Sequence, residues 1–335
     1  MMNAASAAAA SKAARPSASR IIPPLDGSLH KGQAGRVAVV GGSKDYTGAP
    51  FFSSYSSLRL GADLSHVICD PVASSVIKAY SPDLMVHSWL SPSTDSSLYS
   101  ANQKEFKDLM DRLHVLVIGP GLGRDNEMQT WATWAIKEAI QKRLHLVLDA
   151  DALWLLQNKP DIIKDYPNVI ITPNLVEFQR LLSSCSINVD EKDPEKLAQQ
   201  LSSALGGCTV LQKASTDLIA RVGFPTIKVS FEGSPKRSGG QGDILSGLVG
   251  TWVAWGKLYH ERQSQKEDEG FEDEITPEDI PVIAATFGSK ITRACSRLAY
   301  ENLGRSMQAS DMLGHVAVAF QEVMYGQPKN NDVYS

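Results

Sequence analysis

In the stretch Gly239-Gly240-Gln241-Gly242-Asp243, three glycines and a glutamine stand directly before a lone aspartate, and an apolar segment rich in small residues, Ile244 to Trp255, follows at once. A helix beginning here would present free backbone N–H groups and the positive end of its dipole. Glycines let an anion approach those N–H groups closely, so the pattern suits a phosphate cradle. The adjacent carboxylate is placed to take a proton from a group reacting at that phosphate. Lys236 and Arg237, just upstream, supply cations for a polyphosphate. A purely structural account fits the same residues, with Asp243 as the helix N-cap and the glycines turning the chain.

Further polar clusters follow apolar runs. Asn174 and Glu177 lie three apart at the start of a helix-like segment, where both side chains face one pocket or close a capping box on each other. Asp149 and Asp151 end a second run and suit a hydrated magnesium ion; Lys213 ends a third. Gly119-Pro120-Gly121-Leu122-Gly123-Arg124 follows a fourth. Arg124 occupies the third glycine position of a dinucleotide fingerprint, and no ribose-binding carboxylate stands at the expected spacing, so this is a tight ligand-lining loop rather than that motif. Gly41 to Pro50 is a glycine-rich loop presenting Tyr46 and Thr47 before a helix. The seven histidines are scattered and none sits in a glycine cluster, so no Ser-His-Asp triad can be assembled. His66 and His145 fall inside apolar runs and belong to the core or a sheet face.

A scaffold must bring these clusters together. Apolar, β-branched runs recur at 36–42, 64–70, 114–121, 144–151, 168–174 and 208–213, with helical segments between them such as 126–142. Most are continuous rather than alternating, as expected for strands buried on both faces of a sheet. The alternation predicts a mostly parallel sheet covered by helices on both sides, with ligands bound beyond the carboxyl ends of the strands. No linker or internal repeat divides the series, which predicts one domain over about 30–325. The charged run 261–274 reads as a solvated loop, and the last ten residues as a frayed end.

Composition narrows the function classes. The 335 residues are 43% hydrophobic and 21% charged with net charge −4, which argues against nucleic acid and acidic membranes as partners. No apolar run reaches the length of a membrane helix. Cys69, Cys185, Cys208 and Cys295 are widely spaced, as reduced thiols are. Residues 1–25 are rich in Ala and Ser and hold no acidic residue; they read as a disordered arm or as a transit peptide, so the expected location is cytoplasmic or, with targeting, mitochondrial.

Taken in order, the stretches at 41–50, 61–64, 119–124, 148–153, 172–181, 239–243 and 304–313 resemble the ATP-dependent NAD(P)H-hydrate dehydratase family of the ribokinase-like superfamily. The resemblance spans about Lys31 to Gln321 and implies a three-layer α/β/α sandwich. It also implies an activity: ATP-driven removal of water from the S epimer of hydrated NADH or NADPH, yielding NAD(P)H, ADP and phosphate, with NAD(P)H-hydrate epimerase as functional partner. By position, Lys213, Ala214, Ser215, Thr216, Asp217, Gly233, Ser234, Pro235, Lys236, Arg237, Ser238, Gly239, Gly240, Gln241 and Gly242 would bind ATP, the co-substrate. Gly121, Asn174, Leu175, Val176, Glu177, Phe178, Gln179, Arg180 and Asp243 would contact the hydrated dinucleotide, and Asp243 would be the base. Asn174 and Glu177 match the Asn-x-x-Glu pattern used around Mg2+ in this superfamily, and would hold the ion through water. The chain departs from the family at Ala214, where a glycine is usual after the lysine.

Two other readings fit the same residues. A ribokinase-like kinase of a small alcohol, of the hydroxymethylpyrimidine or hydroxyethylthiazole type, would use the same cradle and base. A non-catalytic nucleotide-binding protein would keep the fold, though a decayed site would lose its costly glycines first. Assembly as a homo-oligomer is compatible with all three.

Overall fold

The computed structural model describes residues 18–92, 94–189, 191–264 and 275–326. Nine strands form one sheet in the order β3-β2-β1-β4-β5-β6-β7-β8-β9. They are β1 (Arg36–Val40), β2 (Leu64–Ile68), β3 (Met85–His87), β4 (Val115–Ile118), β5 (His145–Leu148), β6 (Val169–Ile171), β7 (Thr209–Gln212), β8 (Asp217–Ala220) and β9 (Ile227–Val229). All pairings through β7 are parallel; β8 and β9 add on antiparallel. Each of the six apolar runs forms a strand. β3, β8 and β9 are additions, three or four residues long.

Alternating side chains feed two cores. Val37, Val39, Val115, Val117 and Val147 pack on one face with α1 (Gly48–Leu60), α8 (Gln241–Gln263), α9 (Ile280–Leu303) and α11 (Val316–Tyr325). Ala38, Val40, Leu116, Ile118, Leu146 and Leu148 pack on the other with α3 (Ser96–Met110), α4 (Asn126–Gln141), α5 (Asp151–Asn158), α6 (Leu175–Ser184) and α7 (Pro194–Ala204). A third, small cluster joins β2 and β3 to α2 (Pro71–Tyr80). A short helix, α10 (Ala309–Leu313), precedes α11. Burial on both faces explains why the strands are continuous apolar runs, and the three layers are those the sequence pattern predicts. The four cysteines are free thiols.

The arm expected over residues 1–25 is corrected at its C-terminal end. Residues 18–21 form a helical turn, with Ala18 and Ile21 fully buried in the first core. The Arg20 guanidinium donates to the Tyr259 hydroxyl at 3.2 Å. Apolar side chains in an otherwise polar stretch find a partner surface there, near the end of α8. Residues 1–17, most of the charged run (265–274) and residues 327–335 lie outside the described residues. Of that run, 261–263 belong to α8 rather than to a loop.

Candidate functional site

A cavity of about 770 Å³ opens beyond the carboxyl ends of β5, β6 and β7. Its walls are Asp149–Ala150, Asn174–Glu177, Lys213–Ser215, Asp217, Gly233, Arg237–Asp243 and Leu245, with Thr292, Arg293 and Ser296 of α9. The position agrees with the general rule for open α/β sheets. Beside it, where strand order reverses between β1 and β4, the two glycine loops interlock. Gly42 N–H donates to the Gly121 carbonyl at 3.0 Å, and Ser43 Oγ donates to the same oxygen at 3.1 Å.

α8 begins at the cavity wall. Its N-cap is Gly240, held at φ +96°, and no side chain caps the helix. By contrast α2, α3, α4, α6 and α7 are capped by Asp70, Asp95, Asp125, Asn174 and Asp193. The N-cap alternative for Asp243 is therefore excluded: Asp243 is the third residue of the helix and half-buried in the cavity wall. The first-turn N–H groups stay open toward the cavity. Gly239 has nothing within 4 Å of where a Cβ would lie, whereas at Gly240 that Cβ would sit 2.6 Å from Ala309 Cβ and 2.9 Å from the Phe52 ring. Gly239 therefore faces open space, and Gly240 is needed for both its backbone conformation and its packing.

Three carboxylates surround one ammonium here. Lys213 Nζ donates to Asp149 Oδ1 at 2.9 Å, and Thr172 Oγ1 donates to the same oxygen at 2.7 Å. A Cβ on Gly242 would lie 3.3 Å from Lys213 Nζ and 3.9 Å from Asp149 Oδ2, so the pair abuts the start of α8. Burial, reinforced by the Asp149 charge and opposed by Lys213, pushes the Asp243 carboxyl up to about 7. Burial also raises Glu177, against Lys213 and a backbone hydrogen bond. For Lys213 burial works against the charge, but Asp149 and Glu177 outweigh it and its pKa stands above the usual value. Ala150, between Asp149 and Asp151, has φ +48° and ψ −114°, a costly conformation for a residue with a Cβ.

Asn174 and Glu177 close a complete capping box on α6: Asn174 Oδ1 accepts from Glu177 N–H at 3.0 Å, and Glu177 Oε2 from Asn174 N–H at 2.8 Å. Leu175 and Val176 line the cavity with them. Phe178 is a correction, because its side chain is buried in the second core beside Leu181 and Leu182, on the apolar stripe of α6. Gln179 and Arg180 are exposed and do not line the cavity. Gly121 (φ +62°) lies in the interlocked loops, its carbonyl taken up by Gly42 and Ser43. Asp151 is engaged with that loop too, accepting from Gly123 N–H and Arg124 Nε.

In the 213–217 turn, Lys213, Ala214, Ser215 and Asp217 line the cavity and Thr216 does not. Ala214 has no positive φ, and its N–H donates to Asp217 Oδ1 at 2.9 Å. The alanine therefore sits without backbone strain. Ser234 is buried, and neither it nor Pro235 reaches the cavity. Lys236 turns away, Nζ donating to the Arg305 carbonyl at 2.6 Å; Arg237 and Ser238 remain on the wall. Leu245 and the α9 residues Thr292, Arg293 and Ser296 were not anticipated. They carry no glycine or motif signal: Leu245 enters with the start of α8, and the folding of α9 against α8 brings in the other three.

Among the described residues, no group of three or more His, Cys, Asp or Glu side chains forms a metal cage. Magnesium needs none, since it keeps several waters and takes one or two carboxylates with substrate phosphates. The donor set of Asp149 and Glu177 fits that mode.

The nine-stranded α/β/α sandwich has the ribokinase-like fold. The chain belongs to the NAD(P)H-hydrate dehydratase family, whose sequence model matches residues 37–316. It is 66% identical over 93% of its length to ATP-dependent (S)-NAD(P)H-hydrate dehydratase 2 of Puccinia graminis f. sp. tritici, covering 90% of that protein. It is 47% identical over 91% of its length to the ATP-dependent (S)-NAD(P)H-hydrate dehydratase of Phaeosphaeria nodorum, covering 93% of that protein. Its fold matches the ADP/ATP-dependent NAD(P)H-hydrate dehydratase of Bacillus subtilis co-crystallised with ATP and Mg2+, at TM-score 0.65 and 17% identity, over 92% of this chain and 97% of that one.

Proposed function

We propose that this chain dehydrates the S epimer of hydrated NADH and NADPH, using ATP to turn the ring hydroxyl into a leaving group. The observation that carries the mechanism is the half-buried Asp243 beside the uncapped start of α8, its carboxyl poised near pH 7. An alcohol leaves poorly and a phosphate ester leaves well. Asp243 accepts the hydroxyl proton, the hydroxyl oxygen bonds the γ-phosphorus, and the bond to ADP breaks. The ring nitrogen then expels phosphate from the neighbouring carbon, and loss of a proton from the adjacent ring carbon restores the double bond. The N–H groups of Gly239 to Gly242 meet the charge that grows on the phosphoryl oxygens.

In this reading the nucleotide lies along Lys213–Ser215, Gly233 and Arg237–Gly242, and Asn174–Glu177 faces the hydrated dinucleotide. Glu177 and Asp149 would hold Mg2+ through water, and the bound ion supplies neutralisation of the phosphate charge. Lys213 opposes the rise that burial imposes on Asp243 and Glu177, and Asp243 remains basic enough to work. NAD(P)H-hydrate epimerase is the functional partner that converts the R substrate to S. A small-alcohol kinase would share cradle and base and stop at the phosphorylated alcohol; family membership supports the dehydratase.

The test is direct. Purified protein with Mg–ATP and hydrated NADH should restore absorbance at 340 nm with one ADP per NADH. Phosphorylation of small alcohols without any 340 nm recovery would overturn the proposal.

A further inference from the structure

We propose that Arg293, on α9, is the positioning residue that holds the nucleotide side of the cavity in shape, an inference that rests on the reading of that side as the ATP site. Its side chain is largely buried, at 14% exposure, and its guanidinium ties two loop segments to the helix. Nε donates to the Phe231 carbonyl at 2.6 Å, ahead of Gly233. Nη1 donates to the Ala214 carbonyl at 3.3 Å and to Asp217 Oδ1 at 3.1 Å. Nη2 donates to the Ser215 carbonyl. One side chain thus clamps both strand-end segments, 214–217 and 231–233, onto one helix.

Neighbours on the same helix extend the clamp. Ser289, one turn before Arg293, donates to Asp217 Oδ2 at 2.7 Å. Ser296, three residues after it, accepts from Ser234 N–H at 3.0 Å. Asp217 has both carboxylate oxygens occupied in this way, so it orders the wall and is not available as a nucleotide ligand. The bonds that Arg293 makes are charge-assisted and need a planar fork spanning several carbonyls; an ammonium is a point charge and cannot span them. Releasing the clamp frees the 214–215 carbonyls and lets the wall drift. A loose wall must be reordered when the nucleotide binds, and that ordering is lost from its affinity.

The experiment is steady-state kinetics of Arg293→Lys with each substrate varied in turn. We expect the KM for ATP to rise about 10- to 100-fold, the size of losing a hydrogen bond to a charged group. The KM for hydrated NADH and the kcat at saturating ATP should stay within about twofold, because Asp243 and the Asn174–Glu177 wall are not clamped by Arg293. A general loss of structure would raise both KM values or lower kcat, and that outcome overturns the proposal, as does an unchanged ATP KM. Gly239→Val, measured beside it, separates the two layers of inference. If it raises the ATP KM and Arg293→Lys does not, the clamp is wrong; if neither does, the nucleotide site itself lies elsewhere. Should Arg293→Lys not fold, Ser296→Ala releases the 234 end of the same wall, and there a raised ATP KM with unchanged kcat supports the clamp while an unchanged ATP KM overturns it.

Discussion

Asp243 decides whether the cavity does chemistry. It is the third residue of an uncapped helix, so Asp243→Asn removes a carboxylate without removing a cap. Base removal typically costs about 10²–10⁴-fold in rate, and we expect that loss in kcat with nucleotide binding retained. The effect on stability has a definite sign. A carboxyl whose folded pKa is raised to about 7 is held charged at a cost once the pH exceeds that value, and the cost fades as pH falls toward its ordinary range. The Asn variant should therefore melt at the same temperature as the parent, or higher, at pH 8. The parent's kcat/KM should fall about tenfold per pH unit below about 7. An Asn variant that keeps its turnover, or a parent whose activity is flat down to pH 5, would remove Asp243 from the base role.

At the scale of elements, α8 reaches its position because its inner face is small. A Cβ on Gly247 would lie 1.9 Å from the Ser53 carbonyl, and one on Gly250 would lie 3.0 Å from Val117. Ser53 and Ser246 hydroxyls bond across α1 and α8 at 2.9 Å. Close approach fixes where the helix starts, and so where its open N–H groups point. That much was legible: glycines before the aspartate and small residues after it describe a helix pressed on a sheet. The six buried strands were legible for the same reason, as continuous β-branched runs. β3, β8 and β9 were not, because three- and four-residue strands at one sheet edge or in an antiparallel extension carry no periodicity of their own. Arg293 was not, because a clamp is defined by the carbonyls it meets and not by its neighbours in sequence. Ile21 was masked by the polar, Ala/Ser-rich composition around it, yet it is fully buried. Burying such a side chain is worth about 1.5–3 kcal/mol, so deleting residues 1–25, or Ile21→Asp alone, should lower the thermal midpoint. A midpoint unchanged in both would show that this turn adds nothing to the fold.

For the whole molecule, we expect four histidines to shape the response to acid. His66, His87 and His145 are pushed down to about 4 and His114 to about 3, in each case chiefly by burial. His66 and His114 are buried, and His87 and His145 are half-buried at the sheet. His66 Nδ1 and His87 Nε2 share a hydrogen bond at 3.0 Å across β2 and β3. His114 Nδ1 accepts from Arg36 N–H at 3.0 Å. Charging either ring of the first pair would put a cation against its neighbour, with Arg112 already close to both. Unfolded, the same histidines bind protons near their ordinary pKa of 6.5, so the unfolded chain takes up protons that the folded one refuses. The stability these neutral rings contribute is present in full above about 6.5 and is lost as the pH falls toward about 4. Asp243 and Glu177 act the other way, since their raised values let the folded state bind protons first; two such groups offset only part of four. The urea midpoint should therefore fall steadily from pH 7 to pH 4.5. His87→Gln, which keeps a hydrogen-bonding side chain but cannot titrate, should flatten part of that slope. A midpoint independent of pH, or a slope the same in the variant, would show that the buried rings do not control the acid limit of this fold.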